Sequence, residues 1–256
     1  MTNASSEWTP NFARSYLSTY YTQPPTDDEE LIQAFLVDQL KRRKPSGAMI
    51  ELGCGPTIHH VIPFAEYADA IDMADYLPEN LNEVRAWARA EANSHDWSEY
   101  LDACVAREGR TEQSAREDRS VLLRRKINRF LHLDLLSDPP LAAEGSYGIV
   151  GCFYTTEQVG FPKTTWPAVL SRVASVVAPG GHLFMSAVGY SDYYVVHDPS
   201  GDRRIPLANL TEQDFRTNLV ELGFKSDNLV VEASRTESFT AQGLNGVILV
   251  AAQKSA

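Results

Sequence analysis

The stretch that most constrains the fold is Ala48-Met49-Ile50-Glu51-Leu52-Gly53-Cys54-Gly55-Pro56-Thr57. Apolar residues and one acid run into two glycines a single residue apart. This reads as a buried strand ending in a tight bend, where the backbone must come close to a ligand. About twenty residues further on, Ala70-Ile71-Asp72-Met73-Ala74-Asp75 reads as a second strand that finishes on a carboxylate. An acid at that place can take both hydroxyls of an adenosine ribose. The spacing of the two signals raises the pattern above a generic glycine-rich loop.

The glycine pattern narrows the cofactor. A dinucleotide fingerprint has a third glycine that lets the next helix pack on the strand and the pyrophosphate sit at its N-terminus. Here Gly53 and Gly55 are followed by Pro56, Thr57 and Ile58. The loop instead resembles the E/D-x-G-x-G of class I S-adenosylmethionine methyltransferases, whose cofactor has no pyrophosphate. Ala178-Pro179-Gly180-Gly181-His182-Leu183 is similar to the (K/R)-P-G-G-x-L turn that enters the fifth strand of that fold.

Composition sets the outer limits. A chain of 256 residues, 43% hydrophobic, can bury one large core, and a single domain over 1–256 is expected, with a helical cap over 1–45. The 23 basic residues against 34 acids give a net charge of −11, which disfavours nucleic acid and anionic membrane as partners. The three cysteines, Cys54, Cys104 and Cys152, have no metal-site spacing, so neither a metal nor a disulfide framework is expected. With no targeting segment or long apolar run, a cytoplasmic protein is expected, a monomer or weak homodimer.

In chain order, Tyr16 and Tyr20 share a face if their segment is helical, with Tyr21 alongside. Thr26-Asp27-Asp28-Glu29 reads as a capping box opening a helix whose Ile32, Phe35, Leu36 and Leu40 form the buried stripe. Its acids suit the positive end of the helix dipole, and Lys41 to Lys44 suit the other end. His59 and His60 begin a crossover helix, and Pro78 starts another with Leu81, Val84 and Trp87 at helical spacing. Residues 93–129 read as a charged, solvated helix and loop insertion. Phe130–Leu136 is expected as the third strand, Tyr147–Tyr154 as the fourth and Gly181–Val188 as the fifth. Thr165 caps a helix carrying Pro167, Val169, Leu170, Val173 and Val176, and Thr211 caps one through Phe215, Leu219 and Leu222 that stops at Gly223. Leu229–Ala233 and Val247–Ala252 fit a closing hairpin. The fold class is therefore α/β, a Rossmann-like, seven-stranded, mostly parallel sheet of order 3-2-1-4-5-7-6 between helices.

Further motifs sharpen the resemblance. Tyr16-Leu17-Ser18-Thr19-Tyr20-Tyr21 is similar to the Y-L-x-x-Y-Y of the nicotinamide, phenylethanolamine and indolethylamine N-methyltransferase family. Gly53-Cys54-Gly55-Pro56-Thr57-Ile58 resembles its G-S-G-P-T-I, Asp75-Tyr76 with Asn80-Leu81 its D-Y/F-x-x-x-N-L/R, and His95-Asp96-Trp97-Ser98 its F-D/N-W-S. The resemblance implies S-adenosylmethionine as cofactor and N-methylation of a small amine or heteroaromatic nitrogen, in specialised metabolism. It also implies that Tyr16 and Tyr21 close over the cofactor while Gly53 and Gly55 admit its methionine portion. Asp75 would hold the ribose with Tyr76 and Asn80 beside it, and Asp134 and Leu135 would bracket the adenine. His59 stands where tyrosine is usual and Cys152 where threonine is frequent; Cys54, Thr57 and Leu77 complete the cofactor-binding positions. Tyr20 would line the acceptor pocket. The chain departs from the nicotinamide enzyme at Ser186, where that enzyme has an acceptor-anchoring acid, and at Arg204-Ile205-Pro206, where its serine falls. The acceptor is therefore expected to be held differently.

Methyl transfer from a sulfonium is an in-line displacement, so most of the protein's task is alignment and exclusion of water. A neutral amine needs no strong base, whereas an alcohol or phenol needs one nearby. Candidate bases are His59, Glu157 and the pair His197 and Asp198; His59 reads better as pocket lining, and Glu157 equally well as a local brace. Tyr190–Asn209 reads as a lid over the acceptor, with Tyr193 and Tyr194 as substrate-binding candidates beside Ser186. His132 and Asp134 alternate on one strand face as a metal pair would, a spacing more often coincidental. Three other readings compete: O- or C-methylation on the same scaffold, a non-catalytic cofactor binder, and a nucleic-acid methyltransferase. The last rests on Asp138-Pro139-Pro140, which is misplaced and followed by Leu141. A nicotinamide-dinucleotide oxidoreductase is disfavoured by the absent third glycine.

Overall fold

The computed structural model describes residues 12–22, 24–141, 145–196, 201–235 and 244–256. It divides into two compact units, Met1–Leu133 and Asp134–Ala256. The first runs α1 (Phe12–Tyr20), α2 (Asp27–Arg43), β1 (Gly47–Leu52), a 3-10 helix (His59–Glu66), β2 (Ala68–Asp75), α3 (Pro78–Ala88), α4 (Ser98–Arg107), α5 (Ala115–Lys126) and β3 (Ile127–His132). The second runs β4 (Tyr147–Phe153), α6 (Thr156–Val159), α7 (Trp166–Ser175), β5 (Val177–Val188), β6 (Tyr193–Val196), β7 (Arg203–Pro206), α8 (Glu212–Glu221), a 3-10 turn (Ser226–Asn228), β8 (Val230–Ser234) and β9 (Val247–Gln253). Seven strands form one sheet in the order β3-β2-β1-β4-β5-β9-β8, and β6 and β7 make a separate ribbon. Apart from the ribbon, which shifts the last two numbers, this is the expected order.

In the first unit β1 and β2 are parallel, with Leu52 opposite Ala74, and β2 and β3 are parallel, with Asp75 opposite His132. Met49, Ile50, Leu52, Ile71, Met73 and Ala74 are completely buried, as a parallel strand covered on both faces requires. In the second unit β4 and β5 are parallel, with Phe153 opposite Ser186, while β9 runs antiparallel to both β5 and β8. The expected helix stripes of α2, α3 and α7 are buried.

Several expectations are corrected. The third strand is Ile127–His132, not Phe130–Leu136, because Asp134 closes a turn of its own: its carboxylate accepts Leu136 N at 2.9 Å and Ser137 Oγ at 2.7 Å. Residues 93–129, expected as a solvated helix and loop insertion, hold two helices, α4 and α5, and α5 buries one of its faces. The inward face of α5 carries Ala115, Arg119 and Leu123, so a guanidinium sits where an apolar residue would have completed the helical period. Arg119 is fully buried, donating to Ile62 O at 3.0 Å and to the Glu108 carboxylate at 2.9 Å. The Tyr190–Asn209 connection contains the antiparallel ribbon of β6 and β7, with Tyr193 opposite Pro206 and Tyr194 opposite Ile205.

Caps also differ. Thr26 occupies the N-cap of α2 but gives its hydroxyl to the Asp28 carboxylate, and Glu29 is turned inward instead of reaching back to the cap. Thr165 precedes α7 without a side-chain cap. Only Thr211 behaves as expected, donating its N and Oγ1 to Asp214 at 2.8 and 2.7 Å.

Candidate active site

The glycine loop is pinned before any ligand arrives. Gly53 N and Cys54 N both donate to Ala74 O, at 2.8 and 3.1 Å, so the bend after β1 hangs on the end of β2. Thr57 Oγ1 donates to Cys54 O at 2.8 Å and closes the turn from inside. Gly53 and Gly55 have φ of 75° and 58°, left-handed values that cost a side-chain-bearing residue roughly 1–2 kcal/mol. A Cβ built on Gly55 would meet nothing within 4 Å, so the backbone there faces open space.

Asp75 organises the facing side. Its Oδ2 accepts Gly55 N at 2.8 Å, and its Oδ1 accepts Leu77 N and Asn80 Nδ2, both at 2.9 Å. Burial pushes the Asp75 pKa up and these three donors pull against it. A carboxylate has about four acceptor sites, so about one remains on Oδ2. The Asn80 amide is oriented by its bond to Asp75, and its Oδ1 is a buried acceptor with no hydrogen-bond partner. A vicinal diol offers two O–H donors, one for each of these acceptors. The ribose would thus be shared between Asp75 and Asn80, rather than held by Asp75 alone as its position in the sequence implied. Leu77 serves through its N–H, and Tyr76 is 44% exposed with its ring 5.3 Å from that of His132.

Beside the loop lies an aromatic cluster. The Tyr16 ring is 5.0 Å from Tyr20 and 5.6 Å from Tyr21, and Tyr21 is 5.0 Å from His59 and 5.3 Å from Trp97. His59 stacks on Trp97 at 5.4 Å and 10°. His95 meets Tyr21 O at 2.9 Å, tying the end of α1 to the start of α4. Burial raises the Tyr16 hydroxyl to about 12 and lowers His59 to about 4, so both are neutral near pH 7. His59 Nε2 lies 3.1 Å from Glu29 Oε2; His60 lies 3.4 Å from the same oxygen and 3.3 Å from Glu51 Oε1. His60 is raised to about 9: burial opposes its charge, and the Glu29 and Glu51 carboxylates outweigh it. Sequence reasoning placed none of Glu29, Glu51, His60, Trp97 and Tyr100 among the candidate site residues. The adjacent histidines behind the glycine loop were the available signal, but Glu29 joins them only through tertiary packing.

In the second unit, Glu157 opens α6 just beyond β4 and is buried. Its Oε1 accepts Val188 N at 2.9 Å, while Oε2 has no hydrogen-bond partner. Burial raises its pKa to about 7. Ser186 on β5 is also buried, with an unpartnered Oγ. In the ribbon, Arg204 lies 4.4 Å over the Tyr193 ring, and the Tyr194 hydroxyl is 3.4 Å from Gln158 Oε1. Asp134 spends two acceptor sites on its own turn, Leu135 gives its carbonyl to Arg172 at 3.1 Å, and Cys152 is fully buried in β4. His197 and Asp198 lie outside the described residues.

These features match a known family over nearly the whole chain: the model of the NNMT/PNMT/TEMT family aligns with residues 2–255. The chain belongs to that family. It is an S-adenosylmethionine-dependent methyltransferase. Among curated relatives, it is 29% identical to indolethylamine N-methyltransferase of Mus musculus over 199 residues, 74% of this chain and 73% of the relative. It is 27% identical to phenylethanolamine N-methyltransferase of Bos taurus over 224 residues, 81% and 75% of the two chains. The indolethylamine enzyme of Oryctolagus cuniculus is 26% identical over 250 residues, 94% and 92%. Among solved structures, the DhpI–SAH complex has a TM-score of 0.55 at 17% identity, covering 95% of this chain and 91% of that one. Magnesium protoporphyrin IX methyltransferase from Synechocystis with bound SAM has a TM-score of 0.56 at 14% identity, covering 94% and 91%. These neighbours establish the methyltransferase's fold.

The residues present fit the cofactor. The open face at Gly55 gives it passage, and the buried Asn80 Oδ1 is an acceptor that a ribose hydroxyl would satisfy. No helix among the described residues is long and apolar enough to cross a membrane.

Proposed function

We propose that this methyltransferase N-methylates a small amine or heteroaromatic nitrogen, and that for an amine, which arrives as an ammonium, Glu157 receives the proton lost before attack. When bound, S-adenosylmethionine supplies an electrophilic methyl on a sulfonium, and the protein's residues align the nucleophile and exclude water. In the first unit Asp75 and Asn80 take the ribose, with Tyr76 and Leu77 beside them. Gly53, Cys54, Gly55 and Thr57 shape the loop, and Tyr16, Tyr21 and His59 border the methionine portion. In the second unit Asp134, Leu135 and Cys152 serve the adenine. Ser186, Tyr193 and Tyr194 of the second unit serve the acceptor.

The observation that carries the proposal is the state of Glu157. An amine arrives as an ammonium and attacks only after losing a proton. A buried carboxylate with one oxygen committed to Val188 N, the other unpartnered and a pKa near 7, is matched to that transfer. His59 is less suited, because at about 4 it is too weak a base. The relatives' names, indolethylamine and phenylethanolamine N-methyltransferase, support nitrogen as the acceptor atom. The proposal further holds the enzyme to be cytoplasmic, a monomer or weak homodimer, without nucleic-acid or membrane partners; its net charge of −11 supports the last point.

The test is transfer of labelled methyl to a panel of primary amines, heteroaromatic amines, indoles and phenols. Label in the amines, with kcat rising through a pKa near 7 and the rise abolished in Glu157→Gln, is expected. Labelling of phenols alone, or of indoles on carbon alone, would overturn the assignment to nitrogen.

A further inference from the structure

We propose that Glu29, His59 and His60 form a binding site for one divalent first-row metal ion, zinc by its donor set. It lies behind the cofactor loop, and of its three residues only His59 also borders the methionine portion of the cofactor. One carboxylate oxygen and two imidazole nitrogens converge, all within 4.8 Å of one another, and all three residues are buried. Two histidines and a carboxylate are a set that zinc favours, leaving the fourth corner of a tetrahedron to a solvent oxygen. With metal–ligand bonds of about 2.0–2.2 Å, neighbouring corners of such a tetrahedron stand about 3.3–3.5 Å apart. The separations from Glu29 Oε2 are 3.1 Å to His59 Nε2 and 3.4 Å to His60 Nε2, close to that edge before any ion draws the donors in.

Alignment points the same way. At 3.1 Å an imidazole N–H facing a carboxylate would ordinarily make a straight hydrogen bond. His59 Nε2 does not: neither of its ring nitrogens has a hydrogen-bond partner, though the contact with Glu29 is short. Donor atoms aimed at a common point, rather than at one another, give this combination of closeness and misalignment. Leaving a buried imidazole in that state costs about 1–3 kcal/mol, which an ion at the common point would offset.

The surroundings are those of a metal site. Glu51, at the end of β1, places Oε1 3.3 Å from His60 Nδ1, the outer nitrogen. Neither Glu51 oxygen is hydrogen-bonded as the ring now lies; a carboxylate at that place orients a ligating imidazole once the ring turns towards an ion. Trp97 stacks on His59 and Tyr100 packs edge-on against it at 5.2 Å, forming an apolar wall that limits solvent. The ion would join α2 to the first turn after Gly53–Ile58, and so stiffen the loop that faces the cofactor.

The experiment uses the full chain, purified without a histidine tag, stripped with chelator and dialysed against zinc or cobalt(II) chloride. One equivalent of zinc by elemental analysis is expected, with strong visible d–d bands from cobalt(II) and quenching of Trp97 fluorescence that Trp97→Phe removes. Glu51→Gln keeps all three ligands and should weaken zinc by roughly 10–100-fold. The double variant His59→Gln, His60→Gln should lose the equivalent. Wild-type protein with substoichiometric zinc and no d–d bands overturns the site and leaves the cluster as an internal ion pair. So does one equivalent retained unchanged by the double variant, which would put the ion elsewhere. Because wild-type protein is measured first, the first of these results does not depend on a variant folding.

Discussion

Replacing Glu157 with glutamine tests the proposed base through a quantity separate from turnover. The side chain is buried with its pKa raised to about 7 from an ordinary 4.5, mainly by loss of solvent. At 1.36 kcal/mol per pH unit, that span corresponds to about 3 kcal/mol. The sign follows from linkage. The unfolded chain gives up the proton first, so stability is full below about pH 4.5 and falls as pH rises towards 7. Above that it stays lower by about 3 kcal/mol. Glutamine keeps the acceptor for Val188 N and cannot ionise, so Glu157→Gln should lack this loss. Urea unfolding of both proteins at half-unit steps from pH 4 to pH 9 gives the difference directly. The wild type should lose about 3 kcal/mol relative to the variant by pH 7, with no further divergence above it. Parallel curves across the range would refute the reasoning, since Glu157 would then ionise as freely folded as unfolded. An amine acceptor should narrow the gap at pH 8, because its ammonium supplies Oε2 with the partner it lacks.

Asp75→Ala removes the acceptor for Gly55 N, Leu77 N and Asn80. With hydrogen bonds to a charged group worth about 1.5–3 kcal/mol each, calorimetry with S-adenosylhomocysteine should show affinity reduced by at least 100-fold. Asn80→Leu keeps the carboxylate and should weaken the same binding by about 10-fold; an unchanged Kd would mean Asp75 takes both ribose hydroxyls alone. Tyr194→Ala should leave cofactor affinity within about twofold and lower kcat with amine acceptors, and equal loss of both would contradict the division of roles. Arg119→Met leaves the half-buried Glu108 carboxylate beside an apolar chain and should cost about 1–3 kcal/mol in denaturant unfolding. A change below about 1 kcal/mol would show that the guanidinium is dispensable.

Features that depend on local order were legible in the chain. The apolar run into Gly53 and Gly55, the acid at Asp75 one strand later and the proline–glycine entry to β5 fixed the sheet class. A period of two or 3.6 residues and a bend requiring positive φ are written into consecutive positions. Helix stripes such as Ile32, Phe35, Leu36 and Leu40 were legible for the same reason. The tertiary structure decided what depends on partners far away in the chain. Arg119 interrupts an apolar face and so hid α5, because a buried guanidinium becomes tolerable only once Glu108 and Ile62 O are brought to it. Glu29 read as a helix-capping acid, yet it lies against histidines thirty residues later. Asp134 read as the tip of a strand but closes a turn. In each case a polar group chose between a local partner and a distant one, and that choice rests on desolvation and geometry that no window of sequence contains.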